Sequence, residues 1–151
     1  MKALKIRNGD LQISDSGSLD FVFKRDRVLR DIELWLREPM GQGFIDDSFG
    51  SELPDLIGTQ DPQALKLKIS SEVQRVITRY QSYQLEKLKQ AKERGKLRFW
   101  SKGEIIEQIK DVRVAHRHDT VYVFVILRFL GGEDDVAVNI IITDEGVTVT
   151  E

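Results

Sequence analysis

Three groups of side chains in this sequence could do chemistry. Asp46 and Asp47 stand side by side in the glycine-punctuated segment GQGFIDDSFGSELPDLIG. Paired carboxylates in a loop can share acid–base work or hold a cation. Glycoside hydrolysis, however, needs two carboxylates held across a cleft with separated pKa values, and neighbours along a loop point apart. The plainer reading is that both bond backbone N–H groups of their own turn. His116 and His118 are two residues apart, which on a strand places both on one face and could begin a metal site. But His116 shares its face with Val112 and Val114, and His118 falls at an expected turn, so a core-edge histidine and a turn histidine are expected instead. Lys87, Lys89, Lys92, Arg94, Lys96 and Arg98 form a basic run that ends in Phe99 and Trp100. Basic residues beside aromatics could engage single-stranded nucleic acid. Glu86 and Glu93 interrupt the run, which also fits a solvated helix face or a face that meets an acidic partner.

Other chemistries lack their residues. The chain has no cysteine, which removes disulfides, thiolate zinc sites and cysteine nucleophiles. It has two histidines, and neither has a serine partner in view for a Ser-His-Asp arrangement. Gly41-Gln42-Gly43 does not follow a strand and open a helix, and no Gly-Lys-Ser/Thr is present, so no phosphate loop is expected. No catalytic residue, cofactor or metal is expected, and function has to be argued from shape and partners.

The elements that must carry those partners read as follows. With 151 residues, 40% hydrophobic and 32% charged, the chain is expected to fold as a single domain over residues 1–151. Its 23 Lys and Arg nearly balance 25 Asp and Glu, for a net charge of -2, which argues against a surface built as a whole for nucleic acid. No apolar run approaches the ~20 residues of a membrane span, and no signal-like apolar core opens the chain, so it is expected in the cytoplasm where it is made. Asn8-Gly9 is a preferred two-residue hairpin turn. It sets Ile6 opposite Leu11 and Leu4 opposite Ile13, with all four on one face. Residues 14–18 read as a polar turn and 19–23 as a short apolar link.

Val28, Leu29, Ile32, Trp35 and Leu36 recur at helical spacing, predicting a helix over about 25–37 that Pro39 ends. Phe49 and Leu53 are expected to pack the glycine loop onto this helix near Trp35. Asp61 and Pro62 read as the cap and first residue of a second helix, with Leu65, Ile69, Val73, Val76, Ile77 and Tyr80 as its buried stripe. The pattern continues to about Gly95, as one long helix or as two with a kink near Gln81. Ser101 and Glu104 have capping-box spacing, predicting a third helix over 102–110. The rest reads as β: an alternating strand from Val112, a turn at His118-Asp119, and a near-continuous apolar strand 121–130 covered on both faces. Two further strands follow, 136–142 and 147–150. The expected fold class is α+β, with helices packed on a mainly antiparallel sheet and an N-terminal β-hairpin.

With these elements in order, the stretch DLQISDSGSLDFVFKRDRVLRDIELWLREPMGQGFIDDSFGSELPDLIG resembles the contractile-tail baseplate wedge family, also termed lysozyme-like, whose members serve as sheath initiators. Related components occur in pyocins and bacterial secretion machines. The family shows a polar turn with a glycine, an amphipathic helix, and a loop with a Gly and an acidic pair before an aromatic-Gly-Ser-x-Leu element. Here these are Gly43, Asp46 and Asp47, then Phe49, Gly50, Ser51 and Leu53, whose implied role is mainly structural. The Glu-Pro-Arg triplet that many members carry after the second helix is absent. Glu38-Pro39-Met40 lies elsewhere, so the family's docking residues do not carry over.

The resemblance implies a structural virion component at the tail baseplate, assembled in the bacterial host cytoplasm in several copies around a ring. Its implied partners are the tail sheath protein and other wedge proteins; no membrane is expected, and nucleic acid enters only in the alternative reading below. The implied contact is β-strand pairing with sheath arms through the C-terminal strands: Val136, Val138, Asn139, Ile140 and Ile142, or Val147, Thr148 and Val149. A proline at Asn139 or Thr148 is expected to block pairing and leave the domain folded. The alternatives are a nucleic-acid-binding module using the basic segment 87–98, or a cell-wall glycoside hydrolase.

Overall fold

The computed structural model describes residues 2–7, 10–19, 21–42, 46–56, 62–97 and 100–151. The expected positions Asn8, Gly9, Gly43, Gly58, Asp61, Arg98 and Phe99 lie outside the described residues.

The chain begins with four short strands, β1 (Lys2–Leu4), β2 (Ile6–Arg7), β3 (Asp10–Leu11) and β4 (Phe21–Phe23). Helix α1 (Lys24–Arg37) follows, then the single turn α2 (Leu53–Leu56) and the long helix α3 (Pro62–Glu93). A 3₁₀ turn at Lys102–Glu104 leads into β5 (Ile106–Arg117), β6 (Thr120–Phe129), β7 (Asp135–Thr143) and β8 (Gly146–Thr150). The last four form one antiparallel sheet in the order β5-β6-β7-β8. The α+β class is as the sequence predicts, and the reason is visible in the burial. Val121, Val123, Val125, Leu127 and Phe129 of β6 alternate with less buried residues. Together with Val136, Val138, Ile140 and Ile142 of β7 they make one continuous apolar face. The buried stripes of α1 and α3 pack on it, with α3 along β5 and α1 along β8. The α1 stripe is the predicted Val28, Leu29, Ile32, Trp35 and Leu36.

Four local expectations differ from the structure. Residues 102–110 do not form a helix: after one 3₁₀ turn the chain is already β5 at Ile106. The capping box itself is formed, with the Ser101 N–H donating to the Glu104 carboxylate at 2.9 Å. What continues it is decided by partners outside the segment. Gln84 of α3 accepts the Ile106 N–H at 3.0 Å and donates to the Glu104 carbonyl at 2.6 Å. Gln81 donates to the carbonyls of Ile106 and Glu107 at 3.0 and 2.8 Å. Those backbone groups face α3, and β-branched Ile105, Ile106 and Ile109 suit the extended form.

At the N-terminus Ile6 pairs with Leu11 as predicted. Leu4 instead pairs with Phe21, and Ile13 bridges Leu19, because Phe21–Phe23 lies beside β1 as β4 rather than linking loosely. Leu11, Ile13 and Leu19 are exposed. Lastly, β6 is central in the sheet, but the described residues cover it on one face only. Its other face carries Tyr122, Ile126 and Phe124, the last 47% exposed.

The second helix is one continuous element. Gly95 (φ +65°) ends it in a Schellman arrangement, with the Lys96 N–H reaching the Ala91 carbonyl at 2.7 Å. His118 (φ +54°) lies in the β5–β6 turn, as expected.

Candidate functional site

Three places were singled out by the sequence: the glycine loop, the C-terminal strands and the basic segment. In the loop, Asp46 is committed to its own turn. Its carboxylate accepts the Ser48 N–H at 2.8 Å and the Ser48 hydroxyl at 2.5 Å, and Arg79 stands 3.9 Å away. The Ser48 hydrogen bonds hold it below the usual carboxylate range. Asp47 is exposed beside it.

The Phe49-Gly50-Ser51-Glu52-Leu53 element joins α1 to α3. Phe49 meets Trp35 edge-on at 4.8 Å between centroids, and Leu53 is fully buried, so both pack where expected. Ser51 donates through its hydroxyl to the Leu36 carbonyl at 2.5 Å and through its N–H to the Glu38 carbonyl at 2.8 Å. Gly50 is required here. Its φ is +98°, and a Cβ would lie 2.6 Å from the Glu38 oxygen.

From the other side Glu72 of α3 accepts the Glu52 N–H at 2.7 Å, while Arg75 closes on both its oxygens and reaches the Gly50 carbonyl at 3.1 Å. Sequence reasoning passed over Glu72 and Arg75. The signal was a charged residue in register with an apolar stripe, three after Ile69 and four before Val76. The same holds for Gln84, four after Tyr80.

Among the C-terminal strands, β7 is internal. Asn139 pairs with Phe124 on one side and Thr150 on the other. The side chains of Val136, Val138, Ile140, Ile142, Val147 and Val149 are all core. Only β8 is an outer strand on this side of the sheet. Its hydrogen-bonding phase is fixed by Val149, whose N–H donates to the Glu33 carboxylate of α1 at 3.1 Å and therefore points away from β7. By alternation Val147 also points its N–H and C=O outward, while Thr148 and Thr150 point into the ladder. A proline at Asn139 or Thr148 would consequently break the sheet rather than probe its edge. A cleft of about 370 Å³ opens beside Val147, walled by Arg37, Pro39, Pro54 and the β7–β8 turn. Arg37 lies 3.9 Å from Glu33, and its Nη1 is buried without a hydrogen-bond partner.

The basic segment contributes to a third feature. Lys87, Arg94 and Lys96 share a groove of about 560 Å³ with Arg27 of α1, Tyr83 and Trp100. Arg27 and Trp100 were not anticipated as neighbours. The two histidines are not brought together with other ligands: His116 lies opposite Val121, exposed at the end of β5, and His118 is exposed in the turn. No group of three or more His, Cys, Asp or Glu residues is placed to hold a metal among the described residues. No helix there is long and apolar enough to cross a membrane. No known protein family matches the chain, and neither does any curated protein or solved structure.

Proposed function

We propose that this chain is a structural component of a contractile-tail baseplate, in a phage or a related injection machine, and that it starts sheath assembly by lending the β8 edge to an extended arm of a sheath subunit. The observation that supports this reading most is the state of that edge. The outward backbone groups of Val147 lie beside a cleft, in a strand of sequence GVTVT that carries no charged residue to repel a neighbour. The resemblance of the segment from Asp10 to Gly58 supplies the identity of the partner. On this reading the chain works in several copies around a ring, contacts other wedge proteins, and is made and assembled in the bacterial cytoplasm. Glu33 guards the Val149 N–H until an incoming strand replaces it.

The test is co-expression with the sheath subunit of the genome that encodes this chain, scored by electron microscopy of seeded sheaths. Val147→Pro removes an outward N–H and no ladder bond, so the domain should stay folded by circular dichroism. Seeding should fall to background with this variant and stay normal with Phe124→Ser on the open sheet face. A folded Val147→Pro protein that seeds like the parent, or a genome with no sheath gene, refutes the proposal.

A further inference from the structure

We infer that the groove between α1, the C-terminal third of α3 and Trp100 is a recognition site for an acidic peptide segment of a partner protein, bearing an aromatic or bulky apolar anchor. The inference does not rest on strand pairing at β8. Tyr83, Lys87, Gln90 and Ala91 follow one another at helical spacing, so α3 presents them along one face, and Arg94 follows its last residue. The Schellman end of α3 turns Lys96 into the same groove, and Arg27 closes it from α1. The volume of about 560 Å³ is that of a ligand site rather than a surface dimple.

Charge names the ligand. Among the described residues four that line the groove are cations and none is an acid. Among the described residues Lys87, Arg94 and Lys96 have no acidic partner, and Arg27 is only loosely held by Asp31 at 3.7 Å, because Arg30 takes that carboxylate at 2.7 Å. Three unpaired cations and a loosely paired fourth in one groove of a chain with net charge -2 are complementary to carboxylates.

The aromatics separate a peptide from a nucleic acid. Single-stranded nucleic acid needs free ring faces on which bases stack. Here the Lys87 ammonium sits over Tyr83 at 5.4 Å and the Arg27 guanidinium over Trp100 at 5.9 Å. Tyr83 is further stacked with Tyr80 at 6.4 Å. The rings thus position cations rather than offer platforms. Glu86 and Glu93 also interrupt the helix's positive charge, where a phosphate backbone would want a continuous track. Ala91, the smallest of the lining side chains, leaves room in the groove for an anchor side chain.

The experiment is calorimetric titration of the full chain with the synthetic heptapeptide Asp-Glu-Asp-Phe-Glu-Asp-Glu. Saturable binding is expected, weakening as salt rises. The amide counterpart built from Asn and Gln should bind about tenfold more weakly or worse, and so should the acidic peptide to the exposed-site double variant Lys87→Glu/Arg94→Glu. Ala91→Leu fills that room with a good helix former. It should weaken the Phe peptide several-fold and leave an Ala-for-Phe peptide unchanged. Absence of saturable binding at about 1 mM peptide overturns the inference, as does equal affinity for the charge-reversed protein. Tighter binding of a twelve-nucleotide oligothymidylate, lost in the same double variant, overturns it in favour of nucleic acid.

Discussion

Replacing Glu72 by alanine tests whether the glycine loop is held to α3 by one carboxylate. The side chain is 7% exposed, and its Oε1 accepts the Glu52 N–H at 2.7 Å. Losing a charge-assisted bond to a partly buried backbone donor costs about 1.5–3 kcal/mol. The Arg75 pair adds at most about 1 kcal/mol, because that guanidinium is 37% exposed and screened by solvent. The sum is roughly 1.5–4 kcal/mol, or a fall in Tm of about 3–16 °C for a domain of this size. Glu72→Gln keeps an acceptor for Glu52 and should cost about 1 kcal/mol at neutral pH. Its pH dependence carries the sharper test. Burial pushes the Glu72 carboxyl up, but the hydrogen bonds from Arg75 and Glu52 and the Arg75 charge outweigh it and hold it below its ordinary value of 4.5. A lowered folded pKa contributes stability that is complete above the unfolded value and lost as pH falls through the folded one. The gap between parent and Glu72→Gln, read by urea unfolding, should therefore be constant from about pH 8 to 5.5 and close below about pH 4. A Glu72→Ala cost under about 0.5 kcal/mol, or a Gln gap that does not change between neutral and acid pH, refutes the reasoning.

Two further substitutions probe the same loop. Gly50→Ala combines a left-handed φ of +98° with a Cβ 2.6 Å from a carbonyl oxygen, and should cost at least about 2 kcal/mol in chemical denaturation. A value within about 0.5 kcal/mol of the parent would contradict that geometry. Phe49→Ala should cost about 1.5–3 kcal/mol, below the figure for a fully buried phenylalanine, because the ring is half-buried while its edge rests on Trp35. The near-UV circular dichroism of Trp35 should change with it, and an unchanged spectrum would show that the contact does not order the indole.

What could be read in the sequence was whatever one element decides alone. The α1 stripe needs only helical spacing and Pro39, and every residue assigned to it is buried. The strands 136–142 and 147–150 need only alternation, and β7 and β8 lie within one residue of those bounds. What could not be read was decided between elements. Whether 102–110 continues as helix or strand turns on Gln81 and Gln84, twenty or more residues from the backbone groups they take up. The single-sided cover of β6 depends on where two helices settle, and an apolar run does not say which face they take. At the candidate sites the strand residues were named, but Glu33, which fixes the phase of β8, was not. An exposed-looking acid on a helix gives no local sign that it will meet a strand edge 116 positions later.

The two outer strands of the sheet are treated differently, and the difference bears on which one can accept a partner. β5 is long, but its register shifts twice, between Ile106 and Gln108 and between Ile109 and Asp111. It carries Lys110, Arg113 and Arg117, and α3 glutamines fill its first residues. Irregular register and edge charge are the usual protections against unwanted pairing. β8 has neither. It is five residues long, uncharged, and guarded by one carboxylate on one N–H. A guard of that kind is weak, because Glu33 can return to water or to Arg37 when a backbone carbonyl replaces it, so exchanging one acceptor for another costs little. Removing the guard should then leave pairing intact or strengthen it, whereas removing the outward N–H of Val147 should not. Opposite responses to Glu33→Ala and Val147→Pro are what strand addition requires and what side-chain docking at the same cleft would not produce.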